Sequence, residues 1–111
     1  MKGRQPYSCG LGPVFDAIAG KWKVLVLWEL NPGRRRFGEL RRRVAGITEK
    51  VLIQQLKELE RDGLVRREVH YEMPLRVEYS LTELGITLND ALIPLAEWGK
   101  RYERVKENTR V

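Results

Sequence analysis

The sequence contains few of the residues that usually form metal centres and nucleophilic active sites. Among its 111 residues there is one cysteine, Cys9, and one histidine, His70. A single cysteine rules out an internal disulfide and the zinc sites that need several thiolates, and it is typical of proteins in a reducing cytoplasm. A single histidine leaves no Cys/His pair close in sequence and no second imidazole ligand.

Long apolar segments are also absent. No hydrophobic run approaches the roughly 18 residues that a membrane span requires, and no secretory leader is recognisable. The triplet Gly10-Leu11-Gly12 lacks the rest of a dinucleotide-binding fingerprint, and no catalytic triad, carboxylate pair or phosphate-binding loop occurs. These absences predict a cytoplasmic protein that is not an enzyme and holds no metal or cofactor.

Positive charge is in excess and is unevenly distributed, with a formal net charge of +6. Residues 1–50 hold eleven lysines and arginines against four acidic residues, whereas residues 51–111 hold ten against eleven. Basic side chains that neutralise phosphates release condensed counterions, which adds affinity for nucleic acid of any sequence. The basic half therefore favours a polyanionic partner, although charge that only keeps a protein soluble gives the same composition.

The spacing of apolar residues predicts one domain that is mainly helical and carries a small β-hairpin. Residues 1–10 lack periodic apolar spacing and are interpreted as an arm, which leaves 11–111 as the folded domain. The expected elements are helices at about 13–20, 23–30, 38–44, 48–62 and 84–106, a brief extended piece before the third helix, and two hairpin strands around the loop at 70–76.

Capping and breaking residues set the ends of these elements. Thr48 is a suitable N-cap for the fourth helix, and Gly63 is a suitable residue to end it. Pro94 is expected to kink or divide the last helix, because proline removes a backbone hydrogen bond. The order of elements predicts a winged helix-turn-helix, an α+β fold.

The fourth predicted helix has two different faces. At 100° per residue, its apolar residues fall within one arc, and its amide and cationic residues fall within another. The apolar arc contains Val51, Leu52, Leu56 and Leu59, and the polar arc contains Lys50, Gln54, Lys57 and Arg61. A helix that reads DNA needs this arrangement, because one face packs on the domain while the other enters the major groove. A helix whose basic exterior is merely solvated would show the same pattern.

Side-chain chemistry assigns a role to each residue near the polar arc. Gln54 and Lys50 are the leading candidates for reading bases, since glutamine can pair bidentately with adenine and lysine can donate to guanine O6 and N7. Lys57 and Arg61 lie further along the helix and are expected to contact phosphates. Ile53 borders the arc, where it either touches a thymine methyl group or is simply exposed.

Several short motifs occur in order along most of the chain. They are GKWK at 20–23, RFGELR at 36–41, GITEKVL at 46–52, QQLKEL at 54–59, DGLV at 62–65 and PLRVEYSLT at 74–82. Together they resemble the HxlR-type branch of winged-helix regulators, relatives of the MarR group, and the similarity runs from Cys9 to about Gly99. Separated motifs in a fixed order are far more specific than any one of them alone.

The resemblance implies a prokaryotic, one-domain transcription factor that binds double-stranded DNA as a homodimer. Its fourth helix would lie in the major groove and its hairpin wing on the adjoining minor groove, and we expect it to act as a repressor at a pseudo-palindromic operator. The matching positions for DNA contact are Thr48, Lys50 and Gln54 on the fourth helix, Arg36 before the third helix, and Arg76 on the wing. Lys21 is a further expected phosphate contact.

Arg76 has an alternative interpretation, and Ile53 of the fourth helix departs from the family's pattern. An arginine at a hairpin tip suits a narrow minor groove, where the potential is most negative; a solvated loop arginine is the alternative. Ile53 stands where similar proteins often carry a small hydroxylated residue, so the operator preference of relatives does not transfer to this chain.

The resemblance also suggests a regulatory role for Cys9. In some members of the family an N-terminal cysteine senses oxidants or electrophiles, so a small-molecule or oxidant effector is an expected partner. Lys2 and Arg4 would favour the reactive thiolate if they approach the sulfur in space. An inert, partly buried thiol is the alternative.

The last predicted helix carries more apolar surface than one small domain needs. Its apolar stripe contains Leu84, Leu88, Ala91, Leu92, Leu95, Trp98, Tyr102 and Val105. Since this stripe is too wide and too long for so small a core, it predicts a two-fold homodimer. The residues expected at the interface are Leu88, Leu92, Leu95, Trp98 and Tyr102. In the monomeric alternative this helix only closes the core.

Two functions remain compatible with these patterns. The first is a sequence-specific DNA-binding regulator. The second is a basic winged-helix module that binds protein or RNA partners without reading DNA sequence.

Overall fold

The computed structural model describes residues 10–109. In chain order its elements are α1 (Leu11–Ile18), α2 (Trp22–Glu29), β1 (Arg35–Arg36), α3 (Phe37–Arg43), α4 (Glu49–Arg61), β2 (Val65–His70), β3 (Arg76–Leu81) and α5 (Glu83–Thr109). The predicted order of elements is confirmed, and the helical part followed by a β-hairpin is a winged helix. Of the predicted arm at 1–10, Gly10 alone falls within the described residues.

One apolar core lies between the helices α2, α3 and α4 and the sheet. Leu27 and Leu40 are completely buried, as are the three leucines on the inner face of α4, and Tyr79 closes the core from the sheet. Complete burial of a leucine side chain contributes about 1.5–3 kcal/mol. The position of α4 is therefore fixed mainly by the leucines on its inner face.

Both ends of α4 are closed as the sequence predicts. The Thr48 hydroxyl oxygen accepts a hydrogen bond from the Val51 N–H at 3.2 Å. At the other end Gly63 adopts a φ of +76°, and the N–H of Leu64 donates to the carbonyl oxygen of Leu59 at 3.0 Å. A left-handed residue followed by this backward hydrogen bond is the Schellman arrangement, in which glycine avoids the strain that a Cβ would cause.

The wing is a three-stranded antiparallel sheet with the strand order β1-β3-β2. The register of the hairpin runs from Val65 opposite Leu81 to His70 opposite Arg76. The sequence predicted this hairpin and an extended piece before α3, but not that the extended piece pairs with β3. That pairing ties the beginning of α3 to the wing.

The sequence predicts that Pro94 kinks or divides the last helix; α5 is continuous through Pro94, so the division does not occur. Proline removes the hydrogen bond to the carbonyl of Asp90, but both residues are exposed, and water can bind that carbonyl instead. No residue of α5 after Leu92 is buried within the described part of the chain. The C-terminal half of α5 therefore projects from the domain. No described helix, α5 included, is both long and apolar enough to cross a membrane.

The first part of α5 is firmly attached to the domain. The Thr82 hydroxyl accepts from the Gly85 N–H at 3.0 Å and donates to the Gly63 carbonyl at 2.6 Å. One turn further on, the completely buried Asn89 donates to the Leu27 carbonyl at 2.9 Å. These contacts join α5 to the ends of α4 and α2.

Two N-terminal elements differ from expectation. Helix α1 begins at Leu11 rather than at Pro13 and contains no buried residue. Helix α2 was expected to be buried on most sides, but Leu25 and Trp28 are 43% and 37% exposed. They line a shallow apolar groove between α2 and α5, because no described segment packs over that side of α2.

A prediction follows from the close approach of α5 to the end of α4. Because a Cβ on Gly85 would overlap the carbonyl oxygen of Leu64, Gly85→Ala is expected to reduce the free energy of unfolding by about 1–3 kcal/mol. Gly99→Ala is the control on the same helix, since nothing lies near a Cβ there. It should be neutral or stabilising by up to about 1 kcal/mol. Equal effects in urea denaturation would contradict the close packing.

Candidate nucleic-acid interface

The outer face of α4 is open to solvent and brings three of the predicted contact residues together. Lys50, Ile53 and Gln54 are all exposed. With Glu49 they line one shallow depression on the surface of the helix. Cationic, apolar and amide groups are thus side by side where a duplex could reach them.

The C-terminal half of the same face carries two further predicted residues. Lys57 is exposed and lies with Arg67 of β2 around a second depression between α4 and the sheet. The Nε atom of Arg61 lies 3.4 Å from the Asp62 carboxylate. Both partners are exposed, and such pairs contribute little, so this contact leaves the guanidinium available to phosphate.

Three other predicted contact residues lie immediately before helices. Thr48 precedes α4, and its hydroxyl oxygen is the acceptor of the N-cap hydrogen bond described above. Arg36 precedes α3, where its backbone N–H donates to the Glu39 carboxylate at 2.8 Å and its side chain stays exposed. Lys21 precedes α2, and its Nζ lies 4.7 Å from the ring centroid of Trp22. The structure places these groups at the surface but on different helices.

A chain of contacts runs from the interior of the domain to the outer face of α4. Lys23 of α2 is 7% exposed, and its Nζ lies 2.7 Å from Glu58 Oε1. The other carboxylate oxygen of Glu58 accepts from Gln54 Nε2 at 2.8 Å. The hydrogen bond from Lys23, followed by that from Gln54, lowers the pKa of Glu58 below its ordinary value of 4.5. Glu58 is therefore a carboxylate at neutral pH.

Glu78 is the centre of a charged cluster at the base of the wing. Its carboxylate lies 3.0 Å from His70 Nε2, 3.3 Å from Arg76 Nε and 3.5 Å from an Arg34 nitrogen. Burial alone would raise the pKa of Glu78, but the hydrogen bond from His70 and the charge of Arg76 outweigh it and hold the pKa below 4.5. The cluster connects both strands of the hairpin to the segment before β1.

The same region contains a group of described residues that could in principle hold a metal ion. One ligand atom each from Glu68, His70 and Glu78 lies within 4.8 Å of the others. However, Arg34 approaches both carboxylates, and Arg76 approaches Glu78. Cations of the chain already neutralise these ligands, so the arrangement is that of an ion-pair cluster.

The surroundings of Arg76 differ from the predicted hairpin-tip position. Arg76 is the first residue of β3, and its guanidinium is held by Glu72 at 2.9 Å and by Glu78 at 3.3 Å. The tip itself consists of residues 71–75, where Tyr71 and Met73 are 86% and 96% exposed. The sequence could not show this, because the partners of Arg76 depend on the hairpin register.

The predicted dimer surface needs a correction at one of its five positions. Leu92 is 6% exposed and serves the domain itself. Leu88 is half-buried and packs partly against the core, so its contact with a second chain stays a prediction. Leu95, Trp98 and Tyr102 are each about half exposed, and the two aromatic rings stack with their centroids 5.0 Å apart. These three exposed positions of the predicted interface all lie on the projecting half of α5.

Comparison with known proteins decides the family. The family model described as HxlR-like helix-turn-helix matches residues 17–107. The chain belongs to this family. The match covers α2, α3, α4 and the wing completely, and α5 as far as residue 107.

Known transcriptional regulators match this chain over 82–97% of their own lengths. An HTH-type transcriptional regulator from Methanothermobacter thermautotrophicus is 46% identical over 107 residues, which cover 96% of this chain and 82% of that protein. A solved structure of a MarR-family transcriptional regulator from Enterococcus faecalis is 41% identical, with a TM-score of 0.82 over 96% of this chain and 97% of that one. The redox regulator HypR in its reduced form is 43% identical, with a TM-score of 0.82 over 88% of this chain and 97% of that one. This HxlR-like chain is a helix-turn-helix transcriptional regulator.

Sequence reasoning missed residues whose importance depends on tertiary contacts. Lys23 lies among apolar residues in α2, and Glu58 falls between the two arcs of α4. A lysine within a predicted core segment was the available signal, because such a residue requires a buried partner. Arg67 gave no signal, since it is one of two adjacent arginines in a strand.

A prediction concerns the ion pair between Lys23 and Glu58. Above pH 4.5 the wild-type protein is expected to be more stable than Glu58→Gln, because the folded chain stabilises the carboxylate. This advantage should decline as the pH falls through the lowered pKa of Glu58, since protonation breaks the ion pair. Urea denaturation of both proteins at several pH values from acid to neutral measures this difference in the free energy of unfolding.

The control for this experiment is Glu60→Gln. Glu60 is an exposed residue of α4, and the substitution removes the same charge without removing the Lys23 contact. An advantage of the wild type over Glu58→Gln that stays constant across this pH range would contradict the assignment.

Proposed function

We propose that the protein is a cytoplasmic, sequence-specific DNA-binding repressor that acts as a homodimer on a pseudo-palindromic operator. The observation that carries this proposal is the contrast between the two faces of α4. Three leucines are buried on the inner face, whereas Lys50, Ile53 and Gln54 line an open depression on the outer face. A helix held in this way can enter the major groove without losing its packing.

The proposed contacts separate into base reading and phosphate binding. Lys50 and Gln54 are assigned to base edges, and Ile53 to a thymine methyl group, because they share the depression near the N-terminal half of α4. The residues assigned to the sugar-phosphate backbone are Lys21, Arg36, Thr48, Lys57 and Arg61. Their exposure supports this assignment.

The wing is proposed to lie on the adjoining minor groove. Arg76 can contribute there only if its guanidinium exchanges the exposed Glu72 for a phosphate or a groove acceptor. Glu78 would stay bound to Arg76, since it is the less exposed of the two carboxylates. The wing contact is thus expected to add affinity rather than base specificity.

Dimerisation is proposed to bury the projecting half of α5. Leu95, Trp98 and Tyr102 form an apolar surface that residues 10–109 do not cover, and two-fold pairing is the commonest arrangement for such a surface. A second copy would place two α4 helices about one DNA turn, ~34 Å, or a multiple of it apart.

An oxidant or electrophile is the proposed effector, acting through Cys9, which lies outside the described residues. The support is the likeness to HypR, a redox regulator solved in oxidised and reduced forms. With one cysteine per chain, oxidation would join Cys9 to a partner chain or to a small thiol.

The expected result is that diamide changes operator affinity in the wild type and not in Cys9→Ser, measured by fluorescence anisotropy.

The proposal for α4 predicts how single substitutions change DNA binding. Wild-type protein is expected to bind its own promoter about 10³-fold or more tightly than a scrambled duplex. Lys50→Ala should reduce that ratio by about 10- to 100-fold, because each base contact is worth about 1–3 kcal/mol. Anisotropy titrations with both duplexes at several salt concentrations measure the ratio.

Lys57→Ala is the matched control, because it removes the same charge from the same face. Loss of a phosphate contact weakens both duplexes alike and leaves the ratio near that of the wild type. Equal binding of promoter and scrambled DNA by the wild type would refute sequence reading and favour a protein or RNA partner.

The dimer proposal predicts a change in molecular mass. Light scattering of the wild type should give about twice the 13.0 kDa of one chain. Trp98→Glu should weaken association by about 10- to 100-fold, since burying a large apolar side chain is worth about 1.5–3 kcal/mol. Met73→Glu, which places the same charge on the exposed wing tip, should leave the dimer intact. A wild type of single-chain mass at micromolar concentration would exclude the proposed dimer.

A further inference from the structure

We propose that Glu58, held in place by the buried Lys23, orients the side-chain amide of Gln54 so that its oxygen faces the DNA. This inference rests on the proposed function, and it makes Glu58 and Lys23 positioning residues for base recognition. Neither of them is expected to touch a base.

The buried Lys23 fixes the position of Glu58. Lys23 is almost fully buried, and a buried ammonium group requires a partner. Its Nζ lies 2.7 Å from Glu58 Oε1, within the range of strong charge-assisted hydrogen bonds. Lys23 belongs to α2 and Glu58 to α4, so the contact also fixes the carboxylate relative to the domain. Glu58 therefore presents its second oxygen in a defined place.

The second step is the direction of the Gln54 amide. Gln54 lies one turn before Glu58 on α4, and its Nε2 is 2.8 Å from Glu58 Oε2. A carboxylate can only accept hydrogen bonds, so the amino end of the amide must face Glu58. The carbonyl end, Oε1, then points away from Glu58. Glu58 thus removes the freedom of the amide to turn over.

The third step is the kind of base that this orientation recognises. In the major groove adenine and cytosine present an exocyclic amino group, whereas guanine and thymine present carbonyl oxygens. An outward Oε1 accepts from an amino group and is repelled by a carbonyl. The second N–H of the Gln54 amide remains for adenine N7. The expected partner is an amino-bearing base, with adenine satisfying both groups.

The alternative without Glu58 is an amide that can adopt both orientations. A turned amide would donate to guanine or thymine oxygens, which reduces discrimination while leaving the number of hydrogen bonds similar. Loss of the anchor should therefore change which sequences are preferred more than how tightly the protein binds.

The test compares Glu58→Gln with the control Glu60→Gln, which removes the same charge from an exposed position of α4. The probe is the tightest duplex that the wild-type protein selects from a random library. In derivatives of this duplex, single adenines are replaced by purine and single cytosines by pyrimidin-2-one, bases that lack the exocyclic amino group. Anisotropy titrations give the loss of affinity at each position for each protein.

For the wild type and Glu60→Gln, removing the amino group at one position in each half-site is expected to reduce the affinity about 10-fold or more. This is the value of one good base contact. For Glu58→Gln the affinity should fall less than about 3-fold at that position, and at every other position the loss should equal that of the wild type. Adding Gln54→Ala to Glu58→Gln should not reduce the discrimination at that position any further, because both residues act through the same amide. Lys23→Arg, which keeps a cation, should retain more discrimination than Lys23→Met, with circular dichroism confirming that both fold.

Two results would overturn the inference. One is full discrimination by Glu58→Gln at the position where Gln54→Ala loses it. The other is an equal loss by Glu58→Gln on every duplex, scrambled DNA included, which indicates a purely structural role. If the wild type itself selects no preferred duplex, the proposed function fails instead, and that outcome is distinct from both.

Discussion

The rest of the structure depends on α4 being held from one side. Its three leucines enter the core, and the ion pair between Lys23 and Glu58 adds a polar attachment at the edge of that core. Because these contacts are all on the inner side, the outer side needs no partner within the chain. The fold thereby presents an exposed helix whose position is nonetheless well determined, which is what recognition of a rigid duplex requires.

The distribution of ion pairs limits how much of the positive charge a nucleic acid would meet. Arg35 and Arg43 both approach Glu29, and Arg41 approaches Glu49. These pairs connect the first half of the domain internally and reduce its outward field. The net charge of this half is unchanged by these pairs, but several of its eleven basic residues are already engaged within the domain.

The sequence predicted local structure well because the relevant signals are local. The bounds of α4 followed from Thr48 and Gly63, and the hairpin followed from its β-forming residues. It was less informative about Pro94, whose effect depends on whether the freed carbonyl meets water. It also assigned the buried Leu92 to a dimer surface, because helical periodicity shows that a face is apolar but not which neighbour covers it.

For the candidate site, residue types were predictable and their partners were not. Exposure of Lys50 and Gln54 followed from helical phase. The ion pairs of Arg76 required the hairpin register, and the contact between Lys23 and Glu58 required the packing of α2 on α4. Both are long-range geometries that one sequence without relatives does not reveal.

The corner at which α4 ends and α5 begins has a geometric consequence. The carbonyl of Gly63 is bound by Thr82, and the backbone of Gly85 lies against that of Leu64 with no side chain between them. These contacts fix the angle between α4 and α5 within one chain. If two chains pair through the projecting halves of α5, the crossing angle of the two α5 helices therefore sets the distance between the outer faces of the two α4 helices. A small change in that crossing angle would shift each outer face along the groove.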